Sequence, residues 1–300
     1  MNGVIILDKP TGFTSFDAVA VVRGLSREKK IGHTGTLDPL ATGVLPLLLG
    51  RAAKAAELLP DTDKAYRAAF RLGERRDTGD VTGQVVETDK APVPQGQLEG
   101  ALPAFRGQIL QVPPMYSAVS VGGKRLYQLA RQGVEVERPA RPVTVNTLEL
   151  LSYDPASREG ELQVSCSKGT YVRVLIEDLA KAAGTVGTMT ALRRTAACGF
   201  TQEQAITLES LRDLAARGEL STVARPVDSL FAACPSVAVS PAQAARFSNG
   251  GSLDLQRLRL PSPPSEDGAL FRVYGPGGQF LGVARIDLPN RQLRFAKLLA

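Results

Sequence analysis

One aspartate, Asp38, stands in a segment otherwise built almost entirely of small, hydroxylated and apolar residues, Ile31 to Arg51 (IGHTGTLDPLATGVLPLLLGR). Gly32, Gly35 and Gly43 permit tight turns or the close approach of another molecule. Pro39 disfavours a helical conformation at Asp38, so the carboxylate is expected on an extended or turning loop. The apolar run Val44 to Leu49 is suited to anchor that loop in a core, an arrangement that presents catalytic groups on rigid scaffolds. The same Asp-Pro pair also reads as an ordinary turn in which the aspartate bonds its own backbone. A second cluster, Ser165-Cys166-Ser167-Lys168-Gly169-Thr170-Tyr171-Val172-Arg173, runs from strand to helix and offers backbone N–H groups and a basic residue at the helix start. Arg173 there equally suits an i,i+4 surface pair with Glu177.

Composition narrows the chemistry. The 300 residues are 43% hydrophobic and 22% charged, ordinary globular material sufficient for one large unit and one small one. His33 is the single histidine, and Cys166, Cys198 and Cys234 lie far apart with no Cys-x-x-Cys. Neither a zinc nor an iron site is expected, and a single imidazole removes most histidine-based acid–base schemes. No apolar run reaches the roughly 20 residues that span a bilayer, and MNGVIILDKP lacks the features of a secretory signal. The expected setting is a reducing cytoplasm. The net charge of +6 is compatible with an RNA partner without requiring one.

The elements that must position these residues follow from periodicity. Val4 to Leu7 reads as a strand, and Ser15 as the N-cap of a helix carrying Phe16, Val19, Val22 and Leu25. Ala65 to Leu72 alternates, with Tyr66, Ala68, Phe70 and Leu72 on one face and Arg67 and Arg71 on the other. Leu98, Leu102 and Phe105 suggest a short helix. The stretch 112–142, rich in Pro and Gly, carries Lys124, Arg125, Arg131, Arg138 and Arg141 with Tyr127 among them, and reads as a loosely packed insertion. Leu162 to Cys166 is another strand, Tyr171 to Ala183 a helix, and Leu208 to Leu214 a further one. From Pro235 onward, Leu270 to Tyr274 and Phe280 to Ile286 read as strands of a small all-β module. Leu260 to Gly268 reads as a flexible loop.

The motifs GHTGTLDPLATGVLPLLLGRA and CSKGTYVR resemble those of the TruB family of tRNA pseudouridine synthases, in blocks from about Val4 to Leu230. The resemblance implies an α+β fold, with a mixed, mainly antiparallel central sheet in a catalytic domain at 1–234. A small β PUA-like RNA-binding domain is implied at 235–300. It places Asp38 at the catalytic aspartate, Arg173 as its ion-pair partner and Tyr171 as a hydroxyl facing base and aspartate. Tyr66 matches the tyrosine that stacks on the flipped base, Leu192 a leucine of the base pocket, and His33 an RNA contact where the base had been. Lys9 matches a lysine near the pocket, and Asp80 a structural or RNA-positioning acid. Read by themselves, Tyr66 and Leu192 are core residues, Lys9 is a surface lysine, and Arg193 and Arg194 contact phosphates or face solvent.

The implied activity is conversion of the T-loop uridine, position 55 of tRNA, to pseudouridine. The reaction is isomeric, so no cofactor or metal is expected. The implied partner is the tRNA T-arm, gripped in part by the 112–142 insertion, and the implied state is a monomer with no membrane association. A non-catalytic RNA-binding or tRNA-folding factor of the same fold is the alternative. A glycosidase-like hydrolase ranks last, since that chemistry normally needs two flanking carboxylates.

Overall fold

A computed structural model describes residues 1–264 and 266–299. Its main feature is a ten-stranded sheet of β1 (Gly3–Lys9), β2 (Ile31–His33), β3 (Thr42–Leu49), β4 (Lys64–Leu72), β5 (Gly107–Gln111), β6 (Arg141–Asp154), β7 (Glu159–Cys166), β8 (Gly187–Ala197), β9 (Phe200–Thr201) and β10 (Ile206–Thr207). Strand order is β10-β1-β3-β8-β4-β7-β6-β5, with β2 on β3 and β9 on β8. The β1–β10 and β3–β8 pairs run parallel; the others are antiparallel, giving the mixed, mainly antiparallel sheet expected.

The apolar run that follows the Asp38 loop is β3, buried along nearly its whole length, as a strand covered on both faces should be. β4 buries Tyr66, Ala68, Phe70 and Leu72. Its outward Arg67 and Arg71 pair with Glu161 and Glu159 at 2.5 and 2.6 Å, contacts worth at most about 1 kcal/mol each. The expected basic outer face of β4 is therefore largely neutralised.

Helix α1 (Ser15–Ser26) is capped by Thr14, in a reciprocal box with Asp17, not by Ser15. Ser15 is the first helical residue, and its buried hydroxyl is engaged elsewhere. The buried face is accordingly Ser15, Ala18, Val19 and Val22, and Phe16 is 70% exposed. The remaining helices of the large unit are α2 (Gln95–Ala101), α3 (Leu126–Ala130), α4 (Val172–Ala182) and α5 (Leu208–Ala216). The 112–142 stretch holds a short hairpin, Ser120–Val121 with Lys124–Arg125, and α3. It is less loose than expected, since Leu126 and Leu129 are buried and Ser117 lies against the body.

A second sheet, of five strands, closes the chain: β11 (Ser236–Ala238), β12 (Leu253–Asp254), β13 (Leu270–Tyr274), β14 (Phe280–Asp287) and β15 (Gln292–Leu298), in the order β11-β13-β14-β15-β12. It is not purely β. Helix α6 (Pro241–Ser248) is nucleated by a Ser240–Gln243 capping box with proline at its first position. The loop from Leu260 to Gly268 has no helix or strand among its described residues, with Ser265 outside them. Val283 and Leu299 of this unit share a hydrophobic cluster with Val4, Ile6, Val44 and Leu48 of the large sheet.

Candidate active site

Asp38 sits between β2 and β3, and its loop is tied down from three sides. Ser15 Oγ accepts from the Leu37 amide at 2.8 Å and donates to the Leu37 carbonyl at 3.3 Å. The Gly12 amide donates to Pro39 O at 2.8 Å, and the Ala41 amide to Asp38 O at 3.0 Å. The third tie is Arg194, fully buried in β8, whose guanidinium donates to the carbonyls of Val44 at 2.6 Å, Gly35 at 3.2 Å and Thr36 at 3.5 Å. Both arms of the loop thus hang on one side chain. Gly43, at φ 101°, passes so close over the Arg194 backbone that a Cβ there would collide with it.

The backbone at Asp38 therefore does turn, but its carboxylate is spared from the turn. Asp38 Oδ2 meets Arg173 Nη2 at 3.0 Å, with the aspartate side chain 38% exposed. Arg173, buried on the first turn of α4, also donates to Thr78 O at 2.6 Å and Tyr116 O at 2.9 Å. Its Nε lies 3.8 Å from Asp80 Oδ2. Asp80 is buried and capped by Thr78 and Thr82. The expected alternative, an exposed Arg173–Glu177 pair, is not formed. Tyr171, at the N-cap of α4, has its backbone clamped by Gln111, which accepts from the Tyr171 amide at 3.0 Å and donates to its carbonyl at 3.3 Å.

Above this ion pair lies a cavity of about 300 Å³, lined by Thr34 to Asp38, Lys64, Tyr66, Tyr116 to Ala118, Lys168 to Arg173 and Leu192. That volume is at the low end for small-molecule sites, a scale suited to one nucleoside. Asp38, Tyr66, Tyr171, Arg173 and Leu192 thus surround one space. Burial pushes the Tyr66 phenol up to about 12, so it is an uncharged ring. Burial likewise raises the Cys166 thiol to about 11, which leaves it inert as a nucleophile.

Two expected residues lie elsewhere. Lys9 is fully buried, its ammonium donating to the carbonyls of Pro10 at 2.9 Å and Phe13 at 2.6 Å. With no exposed surface, Lys9 is not the surface lysine that its charge alone suggests: it shapes the turn whose Gly12 holds Pro39. Burial, only partly opposed by the Asp38 charge, brings its pKa down to about 8. His33 is half-buried on β2, beside the cavity wall but not part of it, and its Nδ1 accepts from the Gly35 amide at 3.2 Å. Burial, then Arg194, lowers its pKa, so near neutral pH it is an uncharged imidazole whose Nδ1 is taken up by the Gly35 amide. His33→Ala should weaken RNA binding ~10-fold, the worth of one well-made hydrogen bond, while the single-turnover rate at saturating RNA changes less than about threefold. Arg193 and Arg194 depart from their expected roles too. Arg193 forms a bidentate pair with Asp8 at 3.1 and 2.9 Å, and Arg194 is the internal clamp described above. Sequence reasoning did not single out Lys64, Gln111 or Tyr116.

Glu177 faces the Asp80–Arg173 pair from α4, with Arg75 and Asp178 also near. Burial raises its carboxyl to about 6. A raised acid pKa means the fold holds the proton more tightly than the unfolded chain, so stability falls as pH rises from about 4.5 through 6. Glu177→Gln should therefore raise Tm by ~2–3 °C at pH 7–8, after allowance for solvent screening, and by nothing below pH 4.5; thermal melts across pH check this.

The sequence of this chain matches the profile of the TruB family pseudouridylate synthase N-terminal domain over residues 23–172. It also matches the tRNA pseudouridylate synthase B C-terminal domain over 173–232 and the TruB pseudouridine synthase II C-terminal domain over 235–291. The chain belongs to the TruB family of pseudouridine synthases. Family relatives include the tRNA pseudouridine synthase B of Cupriavidus metallidurans, 44% identical over 95% of this chain and 91% of the relative. That of Burkholderia mallei is 45% identical over 95% and 93%. Among solved structures, a Cbf5-Nop10-Gar1 complex matches with TM-score 0.78 and 25% identity over 99% of this chain and 85% of that one. An H/ACA ribonucleoprotein bound to a substrate RNA containing 2′-deoxyuridine matches at 0.77 and 23%, with the same coverage, a likeness of fold. Among the described residues of this TruB chain no group of three or more His, Cys, Asp or Glu is placed to hold a metal ion. No helix among them is long and apolar enough to cross a membrane.

Proposed function

We propose that the protein isomerises the T-loop uridine, position 55, of tRNA to pseudouridine, with Asp38 as the acting carboxylate. The observation that carries this is the Asp38–Arg173 pair at 3.0 Å in a cavity of nucleoside size. The reaction cleaves N1–C1′, turns the uracil, and joins C5 to C1′. It needs a carboxylate at the sugar–base bond, a pocket that keeps the detached base, and little water. Extrusion of the uridine costs a few kcal/mol, and stacking on an aromatic face returns roughly 1–3 kcal/mol. Tyr66 and Leu192 supply the apolar wall for that base, and Tyr171, which lines the same cavity, is read as the residue whose hydroxyl serves base and aspartate. Arg173, itself held by two carbonyls and Asp80, pairs with Asp38 and fixes the position of its carboxylate.

Residues 1–234 form the catalytic unit in this reading, and 235–300 the PUA-like unit that extends the RNA surface. Exposed Lys124, Arg125, Arg131 and Arg141 of the insertion supply salt-dependent grip on the T-arm. The protein works as a cytoplasmic monomer. The reading as a non-catalytic RNA-folding factor has no observation in its favour. The test uses tRNA transcript tritiated at uracil C5. One tritium per tRNA should be released, and none when uridine 55 is changed to cytidine. Binding without release would establish the non-catalytic reading, and release indifferent to that change would overturn the choice of uridine.

A further inference from the structure

The charges around the cavity do not balance. Asp38 is its one lining carboxylate, against Lys64, Lys168 and Arg173. Arg173 is fully committed to Asp38, Asp80 and two carbonyls. Lys64, half-buried at the start of β4, donates to Thr62 O at 2.7 Å. No carboxylate lies within ion-pair distance of Lys64 or Lys168 among the described residues. Lys64 pairs in register with Cys166, so Lys168, two residues further along the neighbouring strand's exit, stands at the same end of the cavity. The loop opposite makes room: a Cβ on Gly35 would come within 3.0 Å of Lys64 Cε.

We propose that Lys64, with Lys168 beside it, binds a phosphodiester flanking the extruded uridine. A half-buried ammonium with spare donors needs an anion. Uracil and ribose are neutral, and the apolar wall of Tyr66 and Leu192 already suits the base. In RNA the anion is phosphate. Burial lowers the Lys64 pKa, with Arg194 acting in the same direction; an arriving phosphate reverses that and anchors the nucleotide where Tyr66, on the same face of β4 two residues on, meets the base. Lys64 thus positions the nucleotide and takes no part in the bond changes. This inference rests on the reading of the cavity as the uridine site.

The test measures binding of the full chain to a labelled T-arm stem-loop across salt concentrations. The RNA carries either natural linkages or one uncharged methylphosphonate (2′-O-methyl on the adjoining ribose), placed 5′ or 3′ of the target uridine or at a distant control. Lys64→Met should weaken binding of natural RNA about 10- to 100-fold and reduce the slope of log affinity against log salt by about 0.7, the value of one single-strand phosphate. On RNA neutral at the contacted linkage, the same substitution should cost less than about twofold. A merely structural role would lower Tm but leave the slope alone. An unchanged slope, or a Lys64→Met cost undiminished on both neutral RNAs, overturns the proposal. If Lys64→Met does not fold, Lys64→Gln takes its place. The wild type decides independently: if neutralising neither flanking linkage weakens binding more than the distant control, the contact does not exist. Tritium release by wild type on the natural stem-loop, run alongside, separates failure of this contact from failure of the cavity's assignment.

Discussion

Asp38→Asn should abolish isomerisation, lowering the single-turnover rate by at least ~10³-fold, while tRNA binds within about threefold of wild type. The asymmetry follows from where the side chain stands. Its carboxylate makes none of the backbone bonds that hold its own loop; Ser15, Gly12 and Arg194 do that work through main-chain atoms at Leu37, Pro39, Gly35 and Thr36. Exchanging an oxygen for an amide nitrogen therefore leaves the loop in place and removes the reactive charge. Since most RNA affinity comes from phosphate contacts spread over the surface, losing one carboxylate should not cost binding. Tritium release and filter binding on the same protein measure both quantities.

Arg173→Met should cost more in stability than any other single change at the site, about 3–5 kcal/mol, because it strips the cation from a buried acid. Asp80 is nearly inaccessible, and Arg173 is its cationic neighbour, as it is for Asp38. The carbonyls of Thr78 and Tyr116 lose their donor as well. Activity should fall together with stability. Adding Asp80→Asn should recover part of the lost Tm by removing the stranded charge, but should not restore turnover, because Asp38 remains unpaired. Denaturant unfolding and single-turnover rates of the two variants check this. Equal recovery of both would mean that Arg173 serves the fold alone.

Much of this geometry is legible in the residues. Glycines and Pro39 announce the Asp38 loop, and the period-two pattern of β4 puts Tyr66 inward. The same parity carried information obscured by charge. Lys9 follows Ile5 and Leu7 on the buried face of β1, and Arg194 follows Leu192 on the inward face of β8. Alternation points both side chains inward, whereas their charge suggests the surface. What resolves the conflict is carbonyls: those of Lys9's own turn, Pro10 and Phe13, and for Arg194 those of Gly35, Thr36 and Val44, whose convergence from far along the chain sequence spacing does not show. Gln111 and Tyr116 are hidden for the same reason, since their roles exist only once β5 lies beside the start of α4. The α6 helix is a different case. Its Ser240-Pro241-x-Gln243 signal is local but was masked by the surrounding strand-like texture. At α1, two adjacent hydroxyls compete for the cap, and Asp17 decides for Thr14, freeing Ser15 to hold Leu37.

A complex with a T-arm stem-loop carrying 5-fluorouridine at position 55 tests the central claim most directly. The extruded base is predicted to lie in the Asp38 cavity, its ring against Tyr66 and Leu192, with the Asp38–Arg173 pair at its sugar. A base still stacked in the RNA, or lodged anywhere beyond reach of that carboxylate, would contradict the account.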